Sequence, residues 1–141
     1  MRTRVLIIDD DARLCDEMSE VLEDEGFGVS ISHDGSEGKA LVEHNRYDVI
    51  LLDLELPGAS GFEIIRALQH KDIGLDSVIV ITGHQGAIDA AMSDEPSGDE
   101  DLDALKDTRG VVSKPFDMTA LLAMIKNVFS AGKNGGGRGL L

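Results

Sequence analysis

Residues 47–53 read YDVILLD, and this stretch decides the fold. Its apolar side chains follow one another without alternation, which is typical of a strand that is covered on both faces in a parallel sheet. The stretch ends on a carboxylate, Asp53, and Pro57-Gly58 then signals a turn. We therefore predict a central strand over residues 47–53, with Asp53 at its carboxyl end.

Four other segments have the pattern of a strand, and helical periodicity separates each one from the next. They are RVLIID at 4–9, FGVSIS at 27–32, SVIVIT at 77–82 and GVVS at 110–113. Residues 27–32 alternate between apolar and small side chains, which favours a place near the sheet edge. Because parallel strands are joined by long crossovers that usually contain a helix, the pattern predicts an α/β fold.

The length of the chain fits a single domain. We expect this domain to cover residues 1–131, with a five-stranded parallel sheet and helices on both faces. Residues 132–141 are rich in glycine, and we expect them to form a disordered tail.

The composition argues against several classes of function. A formal net charge of −14 opposes binding to a phosphate backbone, so we expect no direct DNA binding. The single cysteine, Cys15, cannot form an internal disulfide, which favours a reducing, cytoplasmic location. The apolar runs are far shorter than the ~18 residues of a membrane span. We therefore expect a soluble protein that does not enter the membrane.

Polar side chains stand at the ends of four predicted strands. Asp9 and Asp10 end the first strand, Asp53 the third and Thr82 the fourth, and Lys114 follows the fifth. The carboxyl ends of parallel strands share one edge of the sheet, where α/β folds bind ligands. Carboxylates that lie close together repel one another unless a cation neutralises them, and oxygen ligands suit Mg²⁺. The pattern therefore predicts a divalent cation at this edge.

These residue types suit phosphoryl transfer. A carboxylate such as Asp53 can attack phosphorus and form an acyl phosphate. Catalysis of this transfer depends on positioning and on neutralising the charge of the equatorial oxygens. The Thr82 hydroxyl can donate to one of these oxygens, and the Lys114 ammonium can pair with another. Gly83 leaves room for the incoming phosphoryl group.

Four segments together resemble the receiver domain of two-component response regulators. They are IIDDD at 7–11, LLDLELPGASGFE at 51–63, VIVITG at 78–83 and SKPF at 113–116. The resemblance extends over residues 4–130, and the ordered set is far more specific than any one segment. It implies a flavodoxin-like sheet with the strand order 2-1-3-4-5.

The resemblance also implies a role for each residue of the site. Asp53 would be the phosphoacceptor, with Thr82 and Lys114 as the switch hydroxyl and the cation. The bond between Lys114 and Pro115 would be cis. The implied Mg²⁺ ligands are the carboxylates of Asp10 and Asp53, the carboxylate of Asp9 directly or through water, and the backbone carbonyl of Glu55.

The partners of the protein follow from the same resemblance. The phosphoryl donor would be a sensor histidine kinase or a histidine phosphotransfer protein. The domain would catalyse only its own phosphorylation and dephosphorylation, so we do not expect an enzyme in the usual sense. We expect a stand-alone signalling switch that acts on an unidentified downstream protein, with a homodimer as a further option.

One departure from the receiver pattern concerns signal transmission. Receiver domains usually have Phe or Tyr three residues before the lysine of the fifth strand, and this chain has Val111 there. Valine has no ring to reorient. We therefore expect coupling from Thr82 to the distal face of the domain to be weaker or to follow another route.

The fourth crossover, from Gly83 to Gly110, is a second departure because it is atypically long and contains the acidic segment 94–107. Pro96 and Gly98 predict a fourth helix that is short, displaced or frayed. The acidic segment has two readings. It is either an open, solvated loop or a docking surface for a basic partner.

Each residue also has a plainer explanation when it is taken alone. A carboxylate at a strand end is often a solvated terminus or a helix cap, Thr82 could be a core hydroxyl, and Lys114 a surface charge. The chain as a whole could be an interaction module that works without phosphorylation. A phosphatase of the haloacid dehalogenase type would need Asp-x-Asp, which Asp53-Leu54-Glu55 does not match. A Rossmann nucleotide site would need a glycine-rich loop after the first strand.

Overall fold

The computed structural model describes residues 2–133. Within this range, strands and helices alternate along the chain. The strands are β1 (Arg4–Ile8), β2 (Gly28–Ser32), β3 (Val49–Asp53), β4 (Val78–Thr82) and β5 (Gly110–Ser113). The α-helices are α1 (Ala12–Asp24), α2 (Gly35–His44), α3 (Gly61–His70), α4 (Gln85–Met92), α5 (Glu100–Ala104) and α6 (Met118–Lys133). Short 3₁₀ turns at Leu75–Ser77 and Leu105–Asp107 precede β4 and β5.

The strands form one parallel sheet in the order β2-β1-β3-β4-β5. This order confirms the predicted α/β fold and the flavodoxin-like topology. The YDVILLD stretch contains β3, which occupies the centre of the sheet. β2 lies at an edge, as its alternating pattern predicted. The order reverses between β1 and β3, and ligands of such sheets bind beside that point, at the carboxyl ends of the strands.

Side chains of the three inner strands divide between two apolar cores, one on each face of the sheet. On β3, Ile50 and Leu52 face the core that is covered by α2, α3 and α4, whereas Val49 and Leu51 face the core that is covered by α1 and α6. This division follows from the period-two geometry of a strand. A strand that is buried on both faces must be apolar at every position, which is why its sequence lacks alternation.

Side-chain caps start several of the helices, and those of α1, α2 and α3 lie near the carboxyl edge of the sheet or next to it in sequence. Asp11 and Asp34, the N-caps of α1 and α2, accept from the backbone N–H groups of Leu14 and Glu37. α3 begins with a reciprocal capping box, in which the Ser60 hydroxyl accepts from the N–H of residue 63 and the side chain of that glutamate accepts from the N–H of residue 60. These caps satisfy N–H groups that have no partner within the helix.

The fourth crossover confirms one prediction and corrects another. The helix α4 is short, as expected, and the chain then runs through an exposed irregular stretch before α5. The reading of segment 94–107 as an open loop is wrong for its second half. Leu105 is buried against the core, and Arg66 of α3 pairs with Asp101 of α5. These contacts hold α5 on the domain.

The C-terminal helix α6 continues to Lys133, two residues past the predicted end of the domain. Residues 134–141, which make up most of the predicted Gly-rich tail, lie outside the described residues. Among residues 2–133, no helix has the length and apolar character needed to cross a membrane.

Candidate functional site

Three carboxylates meet at the carboxyl edge of the sheet. Ile8 at the end of β1 pairs with Leu52 of β3, and this register brings the residues that follow, Asp9 and Asp53, side by side. Together with Asp10, they place carboxylate oxygens within 4.8 Å of one another. Asp9 and Asp53 are only 2% and 5% exposed, whereas Asp10 is exposed.

The loops after the strands fix the two buried carboxylates. Asp9 Oδ1 accepts from the Asp11 N–H at 2.9 Å, and Asp53 Oδ1 accepts from the Glu55 N–H at 3.2 Å. Gly61, the first residue of α3, lets the helix pass close to the Asp53 backbone, because a Cβ at residue 61 would lie 2.6 Å from the Asp53 carbonyl oxygen. Each carboxylate is therefore held in one orientation by its own chain neighbours.

Lys114 lies between the buried carboxylates. Its Nζ is 2.8 Å from Asp9 Oδ2 and 3.2 Å from Asp53 Oδ2. The backbone N–H of Lys114 donates to the Thr82 carbonyl at 2.9 Å, so the lysine is anchored to the end of β4. The bond from Lys114 to Pro115 is cis, as the receiver resemblance implies.

The electrostatics of the site depend on burial and on the mutual charges of these groups. Burial raises the pKa of Asp53, and the Asp9 carboxylate raises it further, while the Glu55 N–H and the Lys114 ammonium lower it. Burial acts to lower the pKa of Lys114, but the hydrogen bonds and charges of Asp9 and Asp53 outweigh it and raise this pKa. One ammonium therefore contacts two of the three carboxylates, and the site keeps an excess of negative charge.

The donor set of this acidic cluster fits a divalent cation. Asp9 Oδ2 is buried, and the Lys114 ammonium at 2.8 Å is its one close polar contact among residues 2–133. That single ammonium is shared with Asp53, so it cannot offset the charge of all three carboxylates, and a further cation would be favourable here. Carboxylate oxygens at this spacing match the hard ligands that Mg²⁺ prefers.

Thr82 ends β4 at the same edge of the sheet and is buried. Its Oγ1 accepts from the His84 N–H at 3.0 Å, so the hydroxyl hydrogen is left to donate elsewhere. Gly83 follows, and a Cβ at this residue would have no neighbour within 4 Å. The space that the sequence predicted beside Thr82 is thus open. The Glu55 side chain is exposed.

Sequence comparison decides the family. The sequence model of the response regulator receiver domain matches residues 5–126. The chain belongs to this family. Over 126 residues the receiver domain is 32% identical to the DNA-binding response regulator MtrA of Mycobacterium tuberculosis, a match that covers 89% of this chain and 50% of MtrA. The chain spans about half the length of the curated relatives that it matches.

Solved structures have the same fold. The CheY-like receiver domain protein of Methanospirillum hungatei JF-1 is 25% identical, with a TM-score of 0.76 and coverage of 96% of this chain and 100% of that one. The response regulator TrrA of Thermotoga maritima, solved in complex with Mg²⁺-BeF, is 24% identical, with a TM-score of 0.70 and coverage of 89% and 98%. These likenesses establish the receiver fold over nearly the whole chain.

The expectation that the receiver domain does not bind DNA is not supported by these relatives. MtrA is named as a DNA-binding response regulator, and about half of its length lies outside the match. The net charge of −14 describes the present residues. It therefore says nothing about DNA contacts made by other parts of a longer relative.

Val111, at the position where receiver domains usually have an aromatic ring, lies on β5 opposite Val80 of β4. It is partly buried and packs against the core beneath α2, α3 and α4. Beside it, the helix α4 and the chain before β5 enclose a groove of about 240 Å³ that Met92 and Leu105 help to line. The expected weakness of coupling through Val111 stays a prediction.

Two side chains next to the site, those of His33 and Cys15, were not predicted from the sequence. His33 Nδ1 lies 3.1 Å from the Asp9 carbonyl oxygen, and the Cys15 thiol donates to the same oxygen at 3.3 Å. His84 was expected to flank the site by its register, but its ring was not expected to cap α4. The only signal for His33 was its register, since it follows Ser32, the partner of Ile8. The sequence carries little signal for the His84 cap, because histidine is not a favoured N-cap residue.

Proposed function

We propose that this receiver domain accepts a phosphoryl group on Asp53 from the phosphohistidine of a sensor histidine kinase or a histidine phosphotransfer protein. The observation that carries the proposal is the position of the Asp53 carboxylate. It lies among two further carboxylates and the Lys114 ammonium, at the open edge of the sheet. A nucleophile, an anion-binding cation and a cluster suited to a divalent ion thus stand together.

The transfer exchanges one bond to phosphorus for another. A carboxylate oxygen of Asp53 forms a bond to phosphorus, and the bond from phosphorus to the donor's imidazole nitrogen breaks. That nitrogen keeps the electron pair and later takes a proton. The acyl phosphate is hydrolysed when water attacks phosphorus, which regenerates the Asp53 carboxylate. Phosphorylation and dephosphorylation of its own Asp53 are the only reactions we assign to the domain.

Asp9, Asp10 and Asp53, with the backbone carbonyl of Glu55, are the proposed ligands of Mg²⁺. The close approach of the three carboxylates, which have a single ammonium among them, supports this set. Bound Mg²⁺ would offset the negative charge of the carboxylates and of the incoming phosphoryl oxygens. The complex of TrrA with Mg²⁺-BeF is a precedent within the same fold.

Lys114 and Thr82 are the proposed partners of the phosphoryl oxygens. Lys114 can exchange its contact with Asp53 Oδ2 for a phosphoryl oxygen while it keeps its ion pair with Asp9. The Thr82 hydroxyl has a hydrogen to donate, and Gly83 leaves the approach open. Both contacts neutralise charge that grows on the oxygens during transfer.

This complete set of groups favours phosphoryl acceptance over an interaction module that works without phosphorylation. A cytoplasmic location, stand-alone action, an unidentified downstream protein and a homodimer stay predictions. A docking role of the acidic segment 94–107 also stays a prediction. The first half of this segment is exposed to a partner, whereas the second half packs on the domain through α5.

The proposal is tested by incubating the protein with Mg²⁺ and acetyl phosphate and measuring the intact mass. We expect the wild type to gain one phosphoryl group and Asp53→Asn to gain none. Asp24→Asn, an exposed carboxylate at the end of α1, is the matched control and should behave as the wild type. Equal labelling of wild type and Asp53→Asn would refute the proposal.

A further inference from the structure

His84 connects the site to the helix α4 through two hydrogen bonds. Its backbone N–H donates to Thr82 Oγ1 at 3.0 Å. Its ring Nδ1 accepts from the Ala87 N–H at 3.1 Å and so serves as the N-cap of α4. One residue therefore holds the Thr82 hydroxyl on one side and the first turn of α4 on the other.

The space around the ring is shaped for this contact. Gly86 lies in the first turn of α4, and a Cβ at that residue would come within 2.9 Å of His84 Cε1 and 3.3 Å of His84 Nδ1. The imidazole thus occupies the volume that a side chain at residue 86 would fill. Nδ1 can accept this hydrogen bond only while it carries no proton of its own.

The helix α4 depends on this cap more than a longer helix would. It has eight residues, and isolated helices of this length are unstable in water. Ala87 is its one buried residue, and the N–H of Ala87 is the group that the ring satisfies. Without the ring, this donor would be buried and unpaired, which is the costly case for a backbone N–H.

We propose that His84 is a positioning residue that couples Thr82 to α4 and supplies a route of signal transmission that does not pass through residue 111. When the Thr82 side chain rotates about χ1 to bring its hydroxyl to a phosphoryl oxygen, Oγ1 moves away from the His84 N–H and the bond between them is lost. His84 then shifts, its ring leaves the Ala87 N–H, and the start of α4 loosens. The coupling half of this inference rests on the proposed function, whereas the cap does not.

Loosening of α4 would change the face of the domain that this helix forms. Met92 at its end is 82% exposed, and Ile88 and Met92 line the groove beside Val111. A shift of α4 alters the shape of this groove directly. The signal therefore reaches the surface through the backbone of residues 84–92 without a rotating ring on β5.

The cap is tested first, without any phosphoryl group. Amide exchange of Ala87 and Ile88 is followed by NMR in wild type, His84→Ala, His84→Asn and His70→Ala, where His70 is an exposed histidine at the end of α3. We expect exchange about fivefold faster in His84→Ala, and wild-type exchange in the other two, because asparagine is a good N-cap. Wild-type exchange in His84→Ala, or no rescue by asparagine, would overturn the role of the ring.

The coupling is tested next by adding Mg²⁺ and beryllium fluoride, with the Glu55 amide shift as the report of binding at Asp53. We expect exchange of Ala87 and Ile88 to rise about fivefold in wild type and His84→Asn, and to stay unchanged in His84→Ala, where the cap is already lost. A shift of Glu55 without faster exchange in α4 would overturn the coupling. Absence of any shift at Glu55 would instead contradict the proposed function, and the coupling would fall with it. The capping role of the ring would be unaffected, because the exchange rates measured without beryllium fluoride decide it.

Discussion

The Lys114 ammonium lies 2.8 Å from the Asp9 carboxylate, although that carboxylate is almost completely buried. The same ammonium is 3.2 Å from Asp53 Oδ2. Two acids and one base thus share a site from which water is largely excluded, and neither acid is fully neutralised. The stability of the domain and its affinity for cations therefore depend on the same few charges.

Removal of the lysine charge should destabilise the domain. In Lys114→Met, Asp9 and Asp53 face each other without an ammonium. We expect a loss of about 2 kcal/mol of unfolding free energy at pH 7 without Mg²⁺, less than for a fully buried pair because the Lys114 side chain is 27% exposed. Urea denaturation measures this loss. It should shrink as the pH falls through the raised pKa of Asp53, since protonation removes one of the two repelling charges.

The control for this variant is Lys126→Met. Lys126 pairs with Glu25 at 2.6 Å, but both side chains are substantially exposed. An exposed ion pair contributes little, so the control should unfold at nearly the wild-type urea concentration. Equal destabilisation by the two substitutions would show that the charges around Lys114 contribute no more to the unfolding free energy than an exposed ion pair does.

Asp53→Asn should stabilise the domain in the absence of Mg²⁺. Burial and the Asp9 charge raise the pKa of Asp53 above its unfolded value. The stability that this group contributes is present below its unfolded pKa of about 4 and is lost as the pH rises through the folded pKa. At pH 7 the neutral amide should therefore raise the unfolding free energy by about 1 kcal/mol. Urea denaturation of the variant and the wild type measures this difference at each pH. If the variant gained as much unfolding free energy at pH 4 as at pH 7, the predicted pH dependence would be wrong.

Mg²⁺ should stabilise the wild type through the acidic cluster. At a concentration ten times the dissociation constant, a ligand of the native state adds about 1.4 kcal/mol to the unfolding free energy. We expect Asp10→Asn to lose most of this gain while it keeps the fold, because Asp10 is exposed. Thermal unfolding with and without Mg²⁺, at constant ionic strength, provides the measurement. Asp24→Asn serves as the control and should be stabilised by Mg²⁺ as the wild type is. If Mg²⁺ stabilised Asp10→Asn as much as the wild type, Asp10 would be excluded as a ligand.

Much of the fold was predictable because it depends on local patterns. A strand that is covered on both faces must be apolar at each position, and YDVILLD has this property. The meeting of Asp9, Asp53 and Lys114 was also predictable, because parallel strands deliver their carboxyl ends to one edge. What the pattern could not supply was the distance between any two of these side chains.

Contacts between distant residues account for most of what was missed. The helix α5 lies in a segment whose charge suggested an open loop, and Arg66, which holds it, is 35 residues away from Asp101 in the sequence. His33 and the Asp9 carbonyl are 24 residues apart. Pairings of this kind depend on the packed structure, and no local propensity encodes them.

The anchor of α5 can be tested by Arg66→Gln. The guanidinium Nη1 lies 2.6 Å from Asp101 Oδ1 and 2.5 Å from Asp101 Oδ2. The side chains are partly exposed, so we expect little change in the global unfolding midpoint. Amide exchange within residues 100–104 should become faster. In 0.5 M NaCl the Debye length falls from about 10 Å at 0.1 M to about 4 Å, which should reduce the difference in exchange rate between variant and wild type. Unchanged exchange in α5 at low salt would show that Leu105 alone holds this helix.

Cys15 should be nearly inert in the folded domain. Its thiol is buried, and burial raises its pKa to about 12, with the carboxylates of Asp9, Asp11 and Asp16 adding to the effect. Because the thiolate is the nucleophile, we expect alkylation by iodoacetamide at pH 8 to be at least about a hundredfold slower in the folded protein than in urea. The matched control is Cys15→Ala with Glu20→Cys, which moves the thiol to an exposed position of the same helix. Fast alkylation of Cys15 in the folded protein would contradict this prediction and would mean that α1 separates readily from the sheet. In that case, binding of Mg²⁺ at Asp9 should slow the alkylation.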